Sequence, residues 1–70
     1  MPEMIKIVAN GRAYHIAPGT ALPDFVKQTG WQPPQVVVEH NGRAVTPSEA
    51  TETVLQDGDR LEIVRIVAGG

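Results

Sequence analysis

A chain of 70 residues with no cysteine and a formal net charge of −2 has room for one domain, and it can hold neither a disulfide nor a thiolate metal site. The acidic balance argues against a binder that tracks nucleic-acid phosphates with a basic face. Hydrophobic residues make up 41% of the chain, so a single apolar core must stabilise it; no run approaches the ~20 apolar residues of a membrane span, and a cytoplasmic protein without an export leader is expected.

In chain order, "MIKIVANGRAYHIAPG" predicts a β-hairpin. Ile5 and Ile7 alternate with Lys6 and Val8, Asn10-Gly11 suits a tight type I′ turn, and Tyr14 and Ile16 continue the alternation. "TALPDFVKQTG" changes period. Thr20 is the expected N-cap, Pro23 is tolerated in the first turn, and Leu22, Phe25 and Val26 share one stripe. Gly30 supplies a left-handed helix end, with Trp31 folding back onto the last turn. "QPP" from Gln32 to Pro34 is a stiff connector.

"QVVVEHNGRAV" predicts a second pair of strands around Asn41-Gly42. Thr46 to Glu49 forms a capping box with proline at the first helical position, so a short helical turn follows. "LQDGDR" predicts a turn about Asp57-Gly58, and "RLEIVRIV" a final strand. One helix across one mixed sheet of four or five strands, an α+β arrangement, buries these stripes.

The last strand carries an excess of apolar residues. If Leu61 and Ile63 face the helix, Val64 and Ile66 face the other way, and Val37 between Val36 and Val38 does the same. A single helix covers one face only, so Val37, Val64 and Ile66, with Arg65 beside them, are candidates for a docking surface. Glu39 and Glu62 are expected as solvated edge charges that discourage sheet-to-sheet pairing. His15 and His40 stand in separate strands without ligand spacing, so ordinary pleated positions are expected and no metal is implied. Asp57 and Asp59 lack the remaining ligands of a calcium loop. No nucleophile arrangement or phosphate loop is present, which points to a protein that is acted upon rather than an enzyme.

The chain closes on Ala68, Gly69 and Gly70. "VVVEHNGRAV" followed by "LQDGDRLEIVRIVAGG" resembles the ThiS family, the sulfur carriers of thiamine biosynthesis, over about the last half of the chain. The molybdopterin-synthase small subunit shares the Gly-Gly end but commonly carries prolines just before it, where Ile66-Val67-Ala68 stands here. Trp31, Pro33-Pro34 and Pro23 depart from the ThiS pattern.

The resemblance implies a ubiquitin-like β-grasp domain over residues 1–66 and a flexible tail over 67–70. It implies that Gly70 is the modified residue. A ThiF-like adenylating enzyme uses ATP to join its carboxylate to AMP, a cysteine-desulfurase relay supplies sulfur to give a thiocarboxylate, and a ThiG-like thiazole synthase accepts it. No bound cofactor is implied. Four extended residues span roughly 13 Å, and glycines without Cβ pass a narrow channel. Two other readings stay open: a carrier for molybdopterin, cysteine or a secondary metabolite, and a ubiquitin-like conjugation or interaction module.

Overall fold

The computed structural model describes residues 3–31 and 36–66. Five strands and two helices follow in the expected order: β1 (Ile5–Ala9), β2 (Arg12–Ile16), α1 (Leu22–Gln28), β3 (Val36–His40), β4 (Arg43–Val45), α2 (Pro47–Glu52) and β5 (Arg60–Arg65). The sheet order is β2-β1-β5-β3-β4. The first and last strands lie side by side in parallel, Val8 opposite Arg60 and Ala9 opposite Leu61. Each is flanked by an antiparallel partner. The architecture is a mixed sheet with a helix laid on one face, the ubiquitin-like β-grasp.

Both hairpins turn on Asn-Gly, with Asn10 at φ 52° and Asn41 at φ 53°. Asparagine tolerates this left-handed region at low cost, and the resulting twist matches that of the flanking strands. Alternation along β1, β2, β3 and β5 then sends Ile7, Ala9, Ile16, Val38, Leu61 and Ile63 to one face, where they bury with Leu22, Phe25, Val26 and Leu55. Phe25 also meets Tyr14 edge to face, ring centroids 5.1 Å apart. Burying each large apolar side chain contributes roughly 1.5–3 kcal/mol before entropy. Leu55, read from sequence as the start of a turn, is a core residue with 1% exposure.

Helix α1 ends as predicted. Gly30 has φ 91°, its N–H donates to Lys27 O at 3.0 Å, and the Trp31 N–H reaches back to Val26 O at 3.3 Å. These paired bonds satisfy the last carbonyls of the helix and press Trp31 against the core. The start of α1 corrects the expectation for Thr20. The N-cap is Ala21, with no side-chain cap, and the Thr20 hydroxyl donates to Ala17 O instead. The physical reason is tertiary: the Leu22 N–H donates to Thr53 O at 2.9 Å, and the Leu55 N–H donates to Thr20 O at 2.9 Å. The segment before β5 thus satisfies an amide that a side-chain cap would otherwise serve.

The second helix matches its capping box. The Glu49 N–H donates to Thr46 Oγ1 at 3.2 Å, and the Thr46 N–H donates to Glu49 Oε1 at 2.9 Å. The expected connector Gln32–Pro34 lies outside the described residues. No helix among those described is long and apolar enough to cross a membrane.

Candidate functional site

The sheet face opposite α1 is uncovered by any described element, and the register of β3 against β5 decides what it presents. Val37 stands directly opposite Val64 and Glu39 directly opposite Glu62, while Val38 and Ile63, on the alternate positions, turn into the core. Val37 is 46% and Val64 61% exposed. The alternation that predicted an open apolar pair on this face therefore holds for these two residues.

Arg65 and Ile66 part from them. Arg65 pairs with Val36, so by alternation it belongs to the helix side of the sheet. Ile66 stands one residue beyond the last paired position and is 52% exposed. It borders a groove of about 420 Å³ between the two helices and β3, together with Leu22, Val26, Val36, Val37, Val45 and Ala50. Of the four residues grouped from sequence as one surface, Val37 and Val64 are thus opposed on the outer face, Arg65 falls on the alternate side, and Ile66 lies past the last pair, bordering the same groove as Val37. Ala68, Gly69 and Gly70 lie outside the described residues.

Glu39 and Glu62 correct a second expectation. They are not on edges, because β3 and β5 are interior strands and the edges are β2 and β4. The two carboxylates face each other across one ladder, which sequence alone does not reveal since it depends on pairing register. The ion pairs among the described residues are His40–Asp59 and Arg43–Glu49, so neither outer-face glutamate has a cation against it there.

A polar network braces the base of this face. Asp59, only 7% exposed, accepts from the Gln56 N–H at 2.8 Å and from Asn41 Nδ2 at 3.1 Å; its Oδ2 lies 2.9 Å from His40 Nε2. Desolvation raises its pKa, but the Gln56 amide and then the His40 and Asn41 side chains outweigh it and hold the carboxyl below the ordinary range. The Asn41 carboxamide also accepts from the Arg60 N–H at 2.8 Å. His40 is therefore a structural partner of a carboxylate rather than an isolated pleated position. Sequence reasoning missed this because the two residues are 19 apart in the chain and meet only through the β3–β5 pairing. His15, by contrast, is exposed opposite Lys6.

On the β1 side of β5, Asn10 and Asp57 extend the short parallel ladder with side chains. Asp57 Oδ1 accepts from the Lys6 N–H at 2.9 Å, and the Asn10 carboxamide bonds both backbone groups of Ile63. The β5 strand that leads toward the chain's end is thus pinned on both sides up to Ile63.

A ubiquitin-like β-grasp domain with one bare sheet face, ending its last strand beside that face, is the class this geometry defines. Two solved structures share it. The crystal structure of the thiamine biosynthesis protein ThiS from Geobacter metallireducens superposes with a TM-score of 0.78 over 94% of this chain and 100% of that one, at 23% identity. A designed protein based on human erythrocytic ubiquitin, solved by NMR, gives 0.53 over 97% and 96%, at 18% identity. At these identities the likeness shows the fold.

The family follows from sequence: the ThiS family pattern matches residues 7–70, and the chain belongs to the ThiS family. Among curated proteins it is similar to the thiazole synthases of Magnetococcus marinus, at 33% identity, and Paramagnetospirillum magneticum, at 30%. Each match spans 66 residues, 94% of this chain and 20% of the relative. The chain therefore spans about a fifth of the length of these relatives.

Proposed function

We propose that this protein is the sulfur carrier of thiamine biosynthesis, with Gly70 as the residue that carries the sulfur. The observation that carries this reading is the ThiS family match running through residue 70, Gly-Gly included. The similarity to proteins named thiazole synthase favours thiazole formation over molybdopterin or another pathway as the destination.

In this reading an ATP-using partner turns an inert carboxylate into an acyl adenylate: a carboxylate oxygen of Gly70 attacks the α-phosphorus and pyrophosphate leaves. The outer sulfur of a persulfide from a cysteine-desulfurase relay then attacks the carbonyl carbon, and AMP departs with the former carboxylate oxygen. A thiol reductant cleaves the S–S bond of the acyl disulfide so formed, leaving the sulfur on Gly70. The resulting thiocarboxylate passes its sulfur to thiazole synthase. The chain itself holds the reacting carbon and supplies the surface by which larger enzymes grip it. The absence of cysteine suits a carrier whose carboxyl group takes the part of a thiol. Residues 67–70 serve as the tail, and Val37 and Val64 offer the apolar contact that orients the domain while the tail is threaded.

The test is mass spectrometry of the intact protein after incubation with its adenylating enzyme, a cysteine desulfurase, cysteine, ATP and a thiol reductant. Exchange of one oxygen for sulfur is expected at Gly70, and a variant lacking Gly70 should show none. Exchange that survives the deletion would sink the assignment.

A further inference from the structure

Two glutamates set directly opposite each other on interior strands call for an explanation the fold does not supply. Like charges at directly opposed positions of an antiparallel pair destabilise it. Glu39 and Glu62 hold such positions, both exposed on the outer face. They do not protect an edge, since β3 and β5 are flanked on both sides. Neither joins an ion pair among the described residues. Arg60 follows the same alternation along β5 and borders the shallow hollow that both glutamates line, but forms no ion pair with either. The next step along the same face is the exposed Val37–Val64 pair. An acidic site and an apolar site thus lie side by side on one rigid ladder.

We propose that the Glu39–Glu62 pair is the receptor for a basic side chain, arginine or lysine, of thiazole synthase, which covers Val37 and Val64 in the same interface. The proposal rests on the sulfur-carrier reading for the identity of the partner. Charge complementarity favours a partner with a basic contact over a second copy of the chain. Stacking two such faces would bring glutamates against glutamates, in molecules that already carry a net charge of −2. Two glutamates at directly opposed positions of a ladder suit a guanidinium fork or an ammonium group. A charge presented this way raises the rate of encounter and fixes orientation as well as adding affinity. Binding would also remove the cross-strand repulsion, so the pair is poised to be more stable occupied than free.

The experiment titrates the full 70-residue chain with purified thiazole synthase from the same cells, comparing wild type, Glu39→Gln/Glu62→Gln and Val64→Ser at low and high salt. The double glutamine variant is expected to melt at the same or a higher temperature than wild type. It should bind at least about tenfold more weakly, with a flatter salt dependence. Circular dichroism confirms that each variant is folded, and each single glutamine variant should show part of the loss. Unchanged affinity in the folded double variant overturns the proposal. Weaker binding by Val64→Ser is expected as well. A loss confined to that variant, with the salt dependence of the double glutamine variant unchanged, also overturns it, by showing a docking face that needs no cation. A wild-type chain that dimerises through this face, or that does not bind thiazole synthase, overturns it too. Failure of the sulfur exchange at Gly70 sinks the carrier reading, and the binding data would still report on the glutamates.

Discussion

Asn10 and Ile63 exchange two hydrogen bonds through one side chain. Asn10 Nδ2 donates to Ile63 O at 3.0 Å, and the Ile63 N–H donates to Asn10 Oδ1 at 2.7 Å. The carboxamide stands where the next peptide group of β1 would have been had the chain not turned away at Gly11. The parallel ladder between β1 and β5 gains one more rung, made of a side chain. Asn10 thus has two tasks, a left-handed turn and a strand-like contact.

Those two tasks separate by mutation. Asn10→Gly keeps the positive φ and loses only the carboxamide, so it should cost about 1–3 kcal/mol in urea unfolding. Asn10→Asp replaces the donor with a charged oxygen facing Ile63 O and should cost more than the glycine variant. Equal costs would mean that the rung contributes little.

Asp59 makes stability depend on pH on the acid side. Its folded-state pKa is lowered, so near pH 4 the unfolded chain binds more protons than the folded one. The contribution is therefore complete above the ordinary aspartate value of about 3.9 and disappears as pH falls through the lowered folded value. Asp59→Asn should lower stability at neutral pH and flatten part of the decline in acid. Thermal melts between pH 7 and pH 2 would read both.

Thr46 and Glu49 offer a local check. The Thr46 amide and then its hydroxyl lower the Glu49 pKa, against a smaller opposing desolvation, with Arg43 assisting least. Thr46→Ala should destabilise the fold by about 1 kcal/mol through loss of the cap. It should also move the Glu49 carboxyl back toward its ordinary range in an NMR titration, because the hydroxyl contact is gone.

On the outer face, Val64→Ser should leave the fold nearly intact, costing about 0.2–1 kcal/mol from the lost pairing with Val37. Its effect on partner affinity should be larger than its effect on unfolding. Equal losses would make Val64 an ordinary packing residue. By comparison, Phe25→Ala, at 1% exposure, should cost about 3–5 kcal/mol.

The local chemistry of the chain was legible residue by residue. Asn-Gly pairs turn, Thr46-Pro47 with Glu49 starts a helix, Gly30 with Trp31 ends one, and period-2 runs of β-branched residues extend. Each of these depends on neighbours within a few positions, so spacing alone is enough. The Gly-Gly end and its upstream blocks pointed to the family in the same way.

What the chain order could not contain is which strands lie together and in what register. Placing β5 between β1 and β3 is what joins His40 to Asp59 and lays the Asn10 carboxamide on Ile63, while the segment ahead of β5 gives the Leu22 N–H a carbonyl acceptor in Thr53 that makes a cap at Thr20 unnecessary. That placement also moves Glu39 and Glu62 from imagined edges to the middle of the sheet, facing each other. These are contacts between residues 19 to 53 positions apart, set by the shared burial of an apolar face, and a one-residue slip of β5 would undo every one of them.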